Sequence, residues 1–311
     1  MPDRRCTPWS PSSRACADGF SAIEVLVALA ATGIIAAATL TIALSTRGMF
    51  ETDRHRTTIN QNLRAGMDLL GIDVRQAGER MPWDAPAVQI VNGASGAPDQ
   101  LVLARNLLDF VLPVCKDVKA GTSADAVFVA KKKGSGKVPP GCAPVLDDNG
   151  DGWPDNLEQW HEYRIAHGGQ VLAFIWNPVT QLGEFFVYDA EDSSTFHLHK
   201  LNGEHWTNDY PVNQNPRIYL LESKTFRLAG DILQALVNGD PTSALNLVSH
   251  IEDFQVRALF QDGSAAETLA GQTWTALRSL EVTLVGGSEL HERSMERTIV
   301  TQFFPRNILS N

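Results

Sequence analysis

Charge is almost absent from one long stretch: between Phe20 and Thr46 the only ionisable side chain is Glu24. No proline occurs between Phe20 and Arg80, so nothing in the sequence forbids one continuous helix from Phe20 to about Gln76. Cysteine is scarce, four in 311 residues, and none has the spacing of a zinc or iron–sulfur site. Positive charge is in the minority: 26 Lys and Arg against 36 Asp and Glu leave a formal net charge of −10. That balance argues against nucleic acid as the main ligand, because phosphate contacts need a basic face. The one basic run, Lys131-Lys132-Lys133, precedes Gly, Ser and Pro and reads as a solvated loop. Gly-x-Ser-x-Gly and Walker-type loops are missing. Gly134-Ser135-Gly136-Lys137 matches part of a phosphate loop but lacks the first glycine at the required spacing and the Ser/Thr after the lysine. No catalytic residue is assigned, and the chain reads as a non-enzyme.

What is present is an apolar segment with a carboxylate near its start. At ~1.5 Å per residue, residues 20–46 cross a hydrocarbon core of ~30 Å. An acid in that zone is costly and needs a partner. A free amine suits it. Cleavage after Gly19 would give Phe20 a new α-amino group, and the Glu24 of a neighbouring copy, shifted along the helix axis, would neutralise it. Such a pair acts as a register device, because either group alone would be stranded in apolar surroundings. The plainer alternative is a signal anchor in which Glu24 is incidental. Arg4, Arg5 and Arg14 precede the segment and place its N-terminal side in the cytoplasm. No apolar run precedes Gly19, so a conventional cleaved secretory signal is excluded.

After Arg47 the pattern turns amphipathic. Ile59, Leu63, Leu70 and Val74 form one stripe with Met67 alongside, and Gly78 followed by Pro82 ends the helix. From Ala87 onward strands are expected at 88–91, 100–103, 126–129, 162–165, 171–175, 185–188, 251–258, 280–285 and 297–304. A helical turn is expected at 231–236, and 113–160 and 189–217 read as long loops. The fold class is α+β, a long N-terminal helix packed on an antiparallel sheet with large loops.

Cys6 and Cys16 precede the cut site, which leaves Cys115 and Cys142 in the exported part. In an oxidising compartment they form a disulfide worth roughly 3–4 kcal/mol by loop-closure entropy; two free thiols are the alternative. Residues 147–158 match the twelve-residue calcium loop. Asp147, Asn149, Asp151, Asp155 and Glu158 supply oxygen at positions 1, 3, 5, 9 and 12, the Trp153 carbonyl serves position 7, and Gly152 allows the sharp turn. Hard oxygen ligands suit Ca²⁺. Pro139, Pro140 and Pro144 leave no incoming helix, so an isolated extracellular-type loop is expected rather than a paired hand; a solvated acidic turn is the alternative. His197 and His199 share one strand face, half of a metal site without an evident third ligand, and read as exposed strand histidines.

Gly19-Phe20-Ser21-x-x-Glu24 before an apolar helix resembles the type III signal of type IV pilins and type II secretion pseudopilins. The helix-end pattern Asn62-Leu63-Arg64 through Leu70, Asp73-Val74-Arg75-Gln76-Ala77-Gly78 is similar to that of the large minor pilins called PilW. So are the segment at 251–256 and the tail from Arg297 to Asn307. The resemblance covers both ends of the chain and little of its middle. It implies cleavage after Gly19 by a prepilin peptidase, methylation of Phe20, and assembly guided by Glu24. It also implies a pilin-like fold divided into a leader (1–19), a transmembrane and filament-core helix (20–46), an amphipathic helix (47–78) and a β-rich domain (79–311). The implied partners are other minor pilins, the major pilin, an inner-membrane assembly platform and a tip adhesin. The implied place is the inner membrane with a periplasmic domain, then the pilus tip. Pseudopilin J of a type II secretion system, and a membrane-anchored adhesin, remain alternatives.

Overall fold

The computed structural model describes residues 21–123, 125–131, 138–139, 141–143, 150, 152–201, 205–269, 271–290 and 293–310, with the side chains of 288–294 and 309–310 left aside. The chain is α+β. It has a long N-terminal helix, α1 (Ala22–Gln76), a short helix, α2 (Asp155–Ala166), and antiparallel sheets. Two compact units meet at Arg56/Thr57, within α1.

In the first unit every described residue up to Phe50 is exposed, including Ile23, Leu26, Ile34 and Ile42. The helix is long and apolar enough here to anchor in a membrane. In the second unit α1 buries Ile59, Leu63, Gly66, Met67, Leu70, Gly71 and Val74. This is the i, i+4, i+7 stripe expected from the sequence, and each large apolar side chain contributes roughly 1.5–3 kcal/mol on burial. The helix stops at a backbone that only glycine adopts without strain. Gly78 has φ +77° and donates its amide to the Ala104 carbonyl at 2.8 Å. A β-carbon there would lie 2.2 Å from the Trp274 ring.

Two sheets share a core with α1. The five-stranded sheet runs β1 (Val88–Val91), β2 (Gln100–Asn106), β9 (Leu221–Ala229), β10 (Ile232–Val237), β11 (Leu245–Val248). The four-stranded sheet runs β13 (Ala265–Ala266), β12 (Ile251–Phe260), β14 (Leu277–Leu290), β15 (Arg293–Phe303). Strands alternate in and out as half-buried sheets require: in β12, Ile251, Phe254, Val256, Ala258 and Phe260 face the core.

Strands β2 and β9 are neighbours, with Asn106 opposite Leu221, although residues 107–220 separate them in sequence. The intervening chain forms a six-stranded sheet of its own: β3 (Leu112–Pro113), β8 (Arg217–Tyr219), β5 (Val171–Asn177), β6 (Leu182–Asp192), β7 (His197–Lys200), β4 (Ala126–Phe128). Its two faces are both covered. Phe174, Trp176 and Tyr219 join the α1 core, whereas Ala173, Ile175 and Ile218 join a second core with Leu157 and Trp160 of α2. This accounts for the uninterrupted apolar run of β5.

Three expectations are corrected here. Residues 162–165 are helical, inside α2, because Leu157, Trp160 and Arg164 bury at helical spacing while Tyr163 and Ile165 only mimic alternation. Residues 232–236 belong to β10 and Asp231 to the turn before it, where the chain doubles back on β9 through Gly230 at φ +63° and pairs Ile232 with Ala229. The stretches read as loops, 113–160 and 189–217, carry β4, the first half of α2, the end of β6, β7 and the start of β8. The inserted sheet had no counterpart in the expected architecture.

Candidate processing and assembly segment and its supporting sites

Gly19 and Phe20 lie outside the described residues. The first described feature is a reciprocal cap at the start of α1. The Ser21 amide donates to Glu24 Oε2 at 2.9 Å and the Ser21 hydroxyl to the same oxygen at 3.2 Å. The Glu24 amide donates in turn to the Ser21 hydroxyl at 3.2 Å. Ser-x-x-Glu before an apolar run is the capping-box pattern, and it satisfies donors that a helix N-terminus otherwise leaves open. This local partner of Glu24 stands beside the intermolecular one expected above, and Ser21-Ala22-Ile23-Glu24 carries its signature in the sequence.

Cys115 and Cys142 form a disulfide with Cα atoms 5.6 Å apart across a sequence separation of 27. Cys142 is 1 % exposed, and its backbone amide and carbonyl bond Pro139 and Lys131. The bridge therefore ties the turn at 141–143 to the chain just after β3.

Of the calcium-loop residues, Asp147, Asn149 and Asp151 lie outside the described residues. Gly150 and Gly152 have φ +76° and +92°, as a sharp turn requires. Asp155 and Glu158 share the first turn of α2, whose N-cap is Pro154. A helix N-terminus favours acids in any case, so these two have a structural reason for their place besides a ligating one. Trp153 packs edge-on against His161, with ring centroids 5.1 Å apart. Oxygen donors of this type fit a hard cation. Among the described residues no cluster of three or more His, Cys, Asp or Glu is arranged to hold a metal.

The helix that carries Asp155 and Glu158 is clamped to β6 by Glu191. That carboxylate, 4 % exposed, accepts Arg164 Nη2 at 2.8 Å and Arg164 Nε at 2.9 Å, and it is also bonded by Tyr188 and His161. Burial pushes the Glu191 carboxyl up, but the hydrogen bonds from Arg164, Tyr188 and His161 outweigh it and hold the group below its ordinary range. Burial and the neighbouring Glu191 push the Tyr188 phenol up. No sequence spacing announces this cluster, because its members come from α2 and β6.

His197 and His199 do share a face, with different partners. His197 bonds the Thr195 hydroxyl at 2.6 Å. His199 lies between Asp189 (Nδ1 to Oδ1, 2.8 Å) and Asp125 (Nε2 to Oδ2, 3.1 Å). The hydrogen bond to Asp189 and the charges of both carboxylates raise its pKa against the opposing effect of burial.

Comparison with known protein families, with characterised proteins and with solved structures finds no match.

Proposed function

We propose that the chain is a minor pilin of the PilW kind: a structural, non-enzymatic component that primes type IV pilus assembly at or near the tip. The observation that carries the reading is Glu24, the lone acid between Phe20 and Thr46 in an exposed apolar segment long enough to anchor in a membrane. In this reading a prepilin peptidase cuts after Gly19 and Phe20 is methylated. The helix waits in the inner membrane with the β-rich unit in the periplasm, then packs among other pilins with Glu24 facing a neighbour's terminal amine. The disulfide and Ca²⁺ stabilise the exported domain. The single helix α1 carries both the apolar segment and, further along, the burial stripe from Ile59 to Val74, which supports one helix serving both tasks.

The capping box favours a second reading, a membrane-anchored surface protein, since it gives Glu24 a purpose without any partner. Mass spectrometry of the mature N-terminus separates the two. The pilin reading requires N-methyl-Phe20 as the first residue; an intact leader on surface-exposed protein overturns it.

A further inference from the structure

An open groove of about 550 Å³ lies among the segment after α1, the start of β1, the β5–β6 turn, Leu269 and residues 271–274. Two of its residues are unusually exposed for their size, Trp83 at 60 % and Val179 at 66 %. An uncovered indole beside a concavity offers a flat apolar face to a ligand. Deeper in the groove are Trp176 and Trp274, and both have already donated their N–H inward, to the Asp84 carbonyl at 2.9 Å and the Pro82 carbonyl at 3.3 Å. They therefore present only carbon to an occupant.

The uncharged polar side chains of the lining are Gln89, Gln181, Gln272 and Thr273. Each can donate and accept. Among the described lining residues the one ionisable group is Asp84, whose carboxylate is 14 % exposed and paired with Arg217 at 3.5 Å. With no cation in the lining, an anionic ligand gains nothing here. A cation finds a single carboxylate already neutralised. A proline-rich peptide offers carbonyl acceptors and few donors, so it would use the N–H groups of the glutamines and leave their carbonyl oxygens unmet, whereas a hydroxyl both donates and accepts. What remains is a neutral ligand with C–H faces and hydroxyl edges.

We propose that this groove binds a neutral oligosaccharide, a sugar face stacking on Trp83 and its hydroxyls meeting the glutamine amides. The volume matches a short saccharide rather than a macromolecular interface. The inference goes beyond the filament reading and does not depend on it, since every residue used belongs to the unit after Arg56.

The test uses the full chain in protein-belted lipid nanodiscs, so that no sugar-headed detergent competes. It is screened against immobilised neutral oligosaccharides of glucose, galactose, mannose and N-acetylglucosamine, with a polyproline peptide alongside. At least one of these saccharides is expected to bind with affinity of about millimolar or better. Trp83→Ala should weaken that binding roughly tenfold, and Gln272→Ala by a smaller factor, with thermal melting unchanged. No saccharide bound, binding indifferent to Trp83→Ala, or preferential capture of the polyproline peptide would each overturn the proposal.

Discussion

Glu24 Oε2 accepts both the amide and the hydroxyl of Ser21, at 2.9 and 3.2 Å, so the acid that the apolar helix must accommodate is also the residue that closes its first turn. The two roles differ in what they demand: capping needs an oxygen acceptor, whereas pairing with an ammonium needs a charge. Glutamine serves the first and not the second. If the chain is a minor pilin as proposed, Glu24→Gln should therefore keep α1 intact while abolishing incorporation into sheared surface fibres as fully as Glu24→Ala does. In helix stability Ala alone should lose the cap, about 0.3–1.5 kcal/mol. Parental incorporation of the glutamine variant would reduce Glu24 to a cap.

The parts of the fold legible in the sequence were those with a strong period and nearby punctuation. Ile59 through Val74 announced a helix face, Gly78 its end, and the alternation at 251–258 a strand. The inserted sheet was hidden because pairing of β2 with β9 closes over residues 107–220, a long-range contact that no local pattern encodes. Glu162 to Ile165 misled because a helix buried on one side and a strand look alike over four residues. The disulfide was accessible from compartment logic. The Glu191 clamp was not, since Arg164 and Glu191 stand 27 positions apart on different elements.

Glu191→Gln should be among the most destabilising single changes in the unit after Arg56. Arg164, 10 % exposed, would keep its charge without a carboxylate, and breaking such a pair costs roughly 3–5 kcal/mol. Replacing both residues with apolar ones of similar size, Arg164→Met with Glu191→Leu, should recover part of the loss. Denaturant titration of the single and double variants measures both. A single-variant loss under about 1 kcal/mol would mean the clamp carries little.

Stability should fall as the solution is made more alkaline around neutrality. His199 has its folded pKa raised above the ordinary 6.5 by Asp189 and Asp125. Its stabilisation is fully present below the unfolded pKa and is lost as pH rises through the folded one. Because the imidazole is 28 % exposed and Asp125 46 %, the contribution is that of a surface pair, about 0–1 kcal/mol. Melting curves on either side of pH 7 should differ in the parent and differ less in His199→Gln.

Reduction of the Cys115–Cys142 bridge should lower stability by about 3.5 kcal/mol, the loop-closure value for a separation of this order. Cys115→Ala with Cys142→Ala should reproduce the loss and abolish its dependence on reductant. Alanine is the appropriate replacement, since Cys142 is almost fully buried and serine would bury a hydroxyl. A double variant that still responds to reductant would assign the effect elsewhere.

Calcium should act on α2 from its N-terminal side. Two proposed ligands, Asp155 and Glu158, occupy the first turn of that helix, and the Glu191 clamp fixes its last turns through Arg164. A cation held by 147–158 would join the loop to an element already anchored on the sheet, adding its binding energy to the folded state alone. Affinity in the millimolar range of extracellular modules is expected, about 10⁻⁴–10⁻³ M. At several times that concentration the melting temperature should rise by a few degrees over a chelator control, a gain of about 1 kcal/mol. Asp147→Ala with Asp151→Ala should erase the gain and leave the chelator curve unmoved. If parent and variant melt together in calcium, Asp155 and Glu158 are present for the helix dipole alone.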